Sequence, residues 1–163
     1  MDPPTEVVDG IYIGSLNSTR GELLDRAGID AIINLSGQCY ESNRAVINII
    51  MEDINVTLDT VDAYMKKFTI GVAAIEVALK EKKKVLVHCA AGINRSATLI
   101  AFYMIENGYS YESTFASLSA ANKKRGVELL TNQSFRSILK TYYVQKKNFA
   151  ERNKYFNDLQ KKA

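Results

Sequence analysis

A chain of 163 residues, 47% apolar and 24% charged, suits one domain with a sizeable core. Its net charge of +3 suits an anionic substrate without arguing for nucleic acid, and no apolar run approaches the length of a membrane-spanning helix. Two cysteines, Cys39 and Cys89, are too few for a disulfide framework and, with the single histidine His88, too few for a four-ligand structural zinc site; a reducing, intracellular setting (cytoplasm or nucleus) is expected.

In chain order, Val7 to Gly14 reads as two short strands around an Asp9-Gly10 turn. Ser18 or Thr19 is placed to cap a helix through Leu23, Leu24 and Ala27, which Gly28 ends. Ile29 to Leu35 is a strand, Ser36 to Arg44 a polar turn, Ala45 to Met51 another strand, and Glu52 to Leu58 a loop carrying acids. Val61, Met65, Phe68, Val72, Ile75 and Leu79 fall near one face of a helix over Asp59 to Lys80, and Glu81-Lys82-Lys83-Lys84 is a solvated turn. Further on, Ser110 caps a helix through Phe115, Leu118 and Ala121, which Lys123-Lys124-Arg125-Gly126 breaks. Thr131 caps the last helix, with Phe135, Ile138, Leu139, Tyr142 and Tyr143 on one side. Lys146 to Ala163 is polar with scattered Phe149, Tyr155, Phe156 and Leu159; a tail packing on the domain is expected, with a self-association helix as the other reading. Strands alternate with helices, so the fold class is α/β, a central mixed sheet flanked by helices, with any site beyond the carboxyl ends of the strands.

The most informative stretch is Val85 to Ile105. Val85-Leu86-Val87-His88 is a strand buried on both faces, Cys89 to Asn94 a loop of small residues, and Ala97 to Ile105 a helix apolar on nearly every side, closed by Gly108. Strand, tight loop and helix N-terminus form an anion cradle, with loop amides and about half a positive charge from the helix. The same surroundings favour a thiolate at Cys89. Arg95 can grip two phosphate oxygens, and a cation at a helix start makes sense where an anion offsets the helix dipole. A nucleophile beneath a phosphate-shaped cradle implies phosphoryl transfer through a phosphocysteine. His88, one residue along a strand from Cys89, points to the opposite face and is poorly placed as a base for the thiol, which argues against a Cys-His protease. The leaving oxygen needs a proton from a separate loop, where Glu52, Asp53 and Asp59 stand; Asp59 can instead cap the following helix.

The run His88-Cys89-x-x-Gly92-x-x-Arg95-Ser96 resembles the signature of cysteine-dependent protein phosphatases, and Ala90-Ala91-Gly92-Ile93-Asn94 within it is most similar to the small dual-specificity enzymes of viral H1 type. Gly10 to Ser15, Gly28 to Leu35 and Asn132-Gln133-Ser134-Phe135 resemble other parts of that family, so the likeness runs over roughly residues 7 to 145. It implies a catalytic domain over residues 1–145 with residues 146–163 as its helical extension, and hydrolysis of phosphotyrosine and phosphoserine or phosphothreonine in proteins without a metal or other cofactor. It also implies roles: Cys89 the nucleophile; Ala90, Ala91, Gly92, Ile93, Asn94 and Arg95 the phosphate cradle. Ser96 steadies the leaving thiolate, His88 orients the loop, and Asp53 is the general acid. Some relatives shield the nucleophile with a neighbouring cysteine, which makes a Cys39–Cys89 disulfide conceivable here. RNA 5′-phosphatases and phosphoinositide phosphatases share this loop chemistry, but the lipid-directed ones carry lysines where Ala90, Ala91, Ile93 and Asn94 are uncharged, and the RNA-directed ones tend to lack the acid. An inactive phosphoprotein-binding module is the reading from another class; it is expected to have lost Cys89 or Arg95.

Overall fold

The computed structural model describes residues 1–162. Its elements are β1 (Thr5–Val8), β2 (Ile11–Gly14), α1 (Gly21–Ala27), β3 (Ala31–Asn34), β4 (Ala45–Asn48), α2 (Val61–Lys80), β5 (Val85–His88), α3 (Arg95–Glu106), α4 (Tyr111–Arg125) and α5 (Gln133–Lys161). A 3-10 turn, Leu16–Thr19, joins β2 to α1. The strands form one mixed sheet in the order β1-β2-β5-β3-β4, antiparallel only between β1 and β2.

Alternation along the central strands splits the core. Leu86 of β5 and Ile32 of β3 face α1, in a small cluster with Leu24 and Ile29. Val85, Val87 and Ile33 face the larger layer built by α2 to α5. There Phe68 stacks on Phe102 at 4.9 Å between centroids, and Phe135 meets Phe68 edge-on at 5.9 Å. Nine of the twelve residues of α3 are buried, because it lies between the sheet and the other helices of that face, as its all-round apolar sequence requires.

Several local expectations are corrected. Neither Ser18 nor Thr19 caps α1: Arg20 is the N-cap, with no side-chain cap bond, while the buried Ser18 hydroxyl accepts the Ser15 N–H and Thr19 donates to the Leu16 carbonyl. The strand expected to reach Met51 stops at Asn48, since β4 is the sheet edge and its side chains are mostly exposed; the chain then turns to bury Ile49 and Met51. Helix α2 begins at Val61 with Thr60 at its N-cap, so Asp59 is not a cap. Asn132, not Thr131, caps α5, accepting the Phe135 N–H at 3.1 Å, while Ser110 caps α4 as its position suggests. The tail is helical but, beyond Lys146 and its ion pair with Glu106, does not pack on the domain: it continues α5, and from Lys147 to Lys162 every residue is exposed. Ala163 of that segment lies outside the described residues.

Candidate active site

Because β2, β5, β3 and β4 are parallel, their carboxyl ends share one edge of the sheet, and segments far apart in sequence meet there. Around the Cys89–Asn94 loop, donors from these segments and from the rest of the chain take up the loop's carbonyls one by one. Ala90 O accepts from Leu16 N–H at 3.1 Å, Ile93 O from Leu130 N–H at 3.1 Å and Asn94 O from Thr98 N–H at 2.9 Å. Arg125 donates to Gly92 O at 2.8 Å and to Ala91 O at 3.3 Å, and His88 Nδ1 donates to Cys89 O at 3.1 Å. With its carbonyls turned outward, the loop turns its amides inward. The N–H groups of Ala90, Ala91, Ile93 and Asn94 have no protein acceptor among the described residues, and that of Gly92 points at Cys89 Sγ, 3.2 Å away. Gly92 sits at φ +71°, and a Cβ there would stand 2.6 Å from Gly14 O, so both backbone angle and space require glycine.

Cys89 is 2% exposed, at the floor of this cup. Ser96 Oγ, in the first turn of α3, lies 3.3 Å from its sulfur. Arg95 Nη1 donates to Leu35 O (3.0 Å) and Met51 O (2.9 Å), which ties the guanidinium to the loops after β3 and β4. Its Nε is buried without a protein acceptor, leaving a donor for a ligand oxygen.

Asp53 follows β4 by five residues and is joined to the cradle through Asn94, whose amide donates to Asp53 Oδ2 at 2.7 Å. Asn132 donates to Asp53 Oδ1, also at 2.7 Å, and to Ile54 O. Asn94 is further held by Thr131 and by the Asn132 N–H. Glu52 and Asp59 are exposed, and among the described residues neither makes a side-chain hydrogen bond to the loop. Both cysteines are free; Cys39 is exposed in the turn after β3.

Three supporting groups escaped the sequence reading. Tyr40 Oη lies 2.7 Å from His88 Nε2. His88 Nδ1 donates to a carbonyl, so in the neutral imidazole that burial favours, Nε2 is the acceptor and Tyr40 the donor. Burial, helped by the Arg95 charge, keeps the His88 imidazole below the usual 6.5, and burial pushes Tyr40 up to about 12. A neutral histidine of lowered folded pKa contributes stability in full above 6.5; as pH falls below that, the unfolded chain takes up a proton that the fold resists. The melting temperature is therefore expected to drop between neutral pH and the lowered folded value, with stability declining by at most about 1.4 kcal/mol per pH unit. A thermal melt series of wild type against His88→Gln checks this: the variant loses the slope in that window.

Arg125 and Asp2 are the other two. The Arg125 side chain, 1% exposed, donates from Nε and Nη2 to the two Asp2 oxygens (3.0 and 2.8 Å) and grips the loop carbonyls with the rest of its fork. Burial pushes the Asp2 carboxyl up, but the hydrogen bonds and charge of Arg125 outweigh this and hold it below the usual 3.8. Arg125 stands in the Lys-Lys-Arg-Gly run read as a helix breaker, and Asp2 lies 123 residues away, so neither carried a local signal. Arg125→Lys keeps the charge but not the fork. It is expected to lower kcat/KM by roughly 10²-fold through a displaced loop, with Asp2→Asn showing a smaller loss in the same steady-state assay.

A thiol floored in a ring of inward amides, with a guanidinium across it and a carboxylate on a separate loop, is the site of the cysteine-dependent phosphatase class. Residues 11–145 match the family model described as the dual specificity phosphatase catalytic domain, and the chain belongs to that family. It is 34% identical over 127 residues to a protein of Invertebrate iridescent virus 6 named as a tyrosine phosphatase, covering 76% of this chain and 81% of that one. It is 32% identical over 117 residues to human dual specificity protein phosphatase 4, a match covering 69% of this chain but only 28% of that longer protein. The fold superposes on the crystal structure of a mouse protein described as a dual specificity phosphatase, complexed with zinc tungstate, with TM-score 0.74, 27% identity and 91% of each chain covered. No helix among the described residues is long and apolar enough to cross a membrane.

Proposed function

We propose that this protein hydrolyses phosphotyrosine and phosphoserine or phosphothreonine in proteins through a phosphocysteine intermediate. The observation that carries the reading is the outward engagement of the loop carbonyls from Cys89 to Asn94, which leaves inward amides around a buried thiol. Cys89 attacks phosphorus as the thiolate, while Arg95 and the amides of Ala90 to Asn94 hold the three equatorial oxygens. The bond to the leaving oxygen breaks, and Asp53 gives that oxygen its proton. Asp53, now a carboxylate, takes a proton from water as the water attacks phosphorus, the S–P bond breaks, and the Ser96 hydroxyl hydrogen-bonds the departing thiolate. The hydrogen bonds of Asn94, itself a residue of the loop, and of Asn132 to the two Asp53 oxygens support that role.

The relative bound to tungstate, a tetrahedral oxyanion, supports a phosphate-sized cradle. The uncharged Ala90, Ala91, Ile93 and Asn94 support a phosphoprotein over a highly charged lipid headgroup. Phosphate release from phosphotyrosine and phosphothreonine peptides, with a metal chelator present, tests the reading, with triphosphorylated RNA and a phosphoinositide run alongside. Release from both peptides is expected. Release from RNA or lipid but not from the peptides overturns the substrate class, and release from none overturns the enzyme.

A further inference from the structure

Helix α5 is 29 residues long, about 43 Å at 1.5 Å per residue, and only its first half lies on the domain. That half forms one wall of an apolar groove of about 750 Å³, whose other wall is the Asn55–Met65 segment; Val56, Leu58, Val61, Met65, Ile138 and Tyr142 line it. Leu58, at the lip, is 94% exposed. The distal half carries Phe149, Tyr155, Phe156 and Leu159, with Phe149 65% and Phe156 60% exposed.

Groove and stripe share one helical face. At about 100° per residue, the groove-lining positions from Gln133 to Gln145 fall in an arc of roughly 180°, and Phe149, Tyr155, Phe156 and Leu159 all fall inside the same arc. The helix is continuous, so its own stripe cannot fold back into its own groove. A second copy laid antiparallel, centred near Lys146 and Lys147, sets residues 149–159 of one chain against residues 134–145 of the other. The two-fold axis repeats the contact, as a closed dimer requires. Charge agrees. The segment 52–62 beside the groove carries Glu52, Asp53, Asp59 and Asp62 and no cation, whereas 146–162 carries Lys146, Lys147, Arg152, Lys154, Lys161 and Lys162 against Glu151 and Asp158. Three rings of about 150–250 Å² each, only partly exposed, with Leu159 and the walls they would cover on both copies, come to on the order of 1,500 Å², within the size of a stable interface.

We propose that the protein forms a two-fold dimer in which the Phe149–Leu159 face of one α5 occupies the groove between α5 and the Asn55–Met65 segment of a second copy. The inference stands apart from the reaction, although the covered segment begins two residues after Asp53 and Val56 N–H bonds to Ser134 Oγ of α5. Sedimentation velocity across micromolar concentrations, on wild type, Leu58→Glu and Phe156→Glu, tests it. Both substituted side chains are exposed, so far-UV circular dichroism should match wild type, and Leu58→Ser and Phe156→Ser stand in should either glutamate disturb the fold.

A wild-type dimer is expected, weakened roughly tenfold or more by each variant and by added salt. Mixing the two variants should restore association, because the heterodimer rebuilds one intact groove-and-stripe contact that neither variant alone can make. A wild-type monomer throughout overturns the proposal, as does a dimer that only one variant, or neither, weakens, or a mixture that recovers nothing. A monomer whose distal helix instead binds anionic lipid vesicles overturns it in favour of a membrane surface.

Discussion

Cys89→Ser is expected to abolish phosphate release from every substrate, by a factor on the order of 10⁵ or more, while leaving phosphopeptide binding close to wild type. The reason lies in which parts of the site the substitution touches. The cradle is backbone, held by Leu16, Leu130, Arg125 and His88 from outside the loop, and Arg95 is held by Leu35 and Met51, so the phosphate-binding donors stay where they are. What the substitution removes, on the proposed mechanism, is the sulfur nucleophile: a serine hydroxyl is a far weaker one without a base beside it, and none stands there. The nearest polar side chain, Ser96 Oγ at 3.3 Å, is another hydroxyl. Stopped turnover with retained binding, measured by phosphate release and by calorimetric titration of a phosphotyrosine peptide, separates the nucleophile from the cradle. Turnover that persists in the variant removes Cys89 from the mechanism.

Asp53→Asn is expected to slow hydrolysis of phosphoserine and phosphothreonine peptides by about 10²–10⁴-fold, and that of an activated aryl phosphate far less. A poor alkoxide leaving group needs the proton, and a stable phenoxide can depart without it. The variant also keeps an amide in place of the carboxylate, so its contacts to Asn94 and Asn132 change in kind rather than vanish. Asp59→Asn and Glu52→Gln are expected to sit close to wild type in the same assay, since both side chains are exposed and neither is tied to the loop. Equal losses on both classes of substrate in Asp53→Asn would point to a structural role, and a large loss in Asp59→Asn would move the acid there.

The linear chain is most legible where the residues concerned are local. Cys89, Gly92, Arg95 and Ser96 lie within eight residues, so a buried strand, a loop needing glycine and an apolar helix define a cradle before anything else is known. It is less legible at element ends. Helix α1 starts without a capping side chain, and β4 stops at Asn48 where edge exposure gives way to burial of Ile49 and Met51. The tail, polar with four scattered apolar side chains, is expected to pack on the domain, but it is the extended end of a helix whose apolar face runs past the domain.

The sequence by itself determined the fold class and the order of strand, small-residue loop and buried helix from Val85 to Ile105, because strand and helix periodicities are short-range properties. Only the tertiary structure decided what holds the cradle in shape: Tyr40 behind His88, Arg125 and Asp2 clasped under the loop, and Asn94 with Asn132 on either oxygen of Asp53. These pairs lie 41 to 123 residues apart. Parallel strands ending on one edge bring such segments together, and a hydrogen bond across that distance leaves no periodic trace in the chain that makes it.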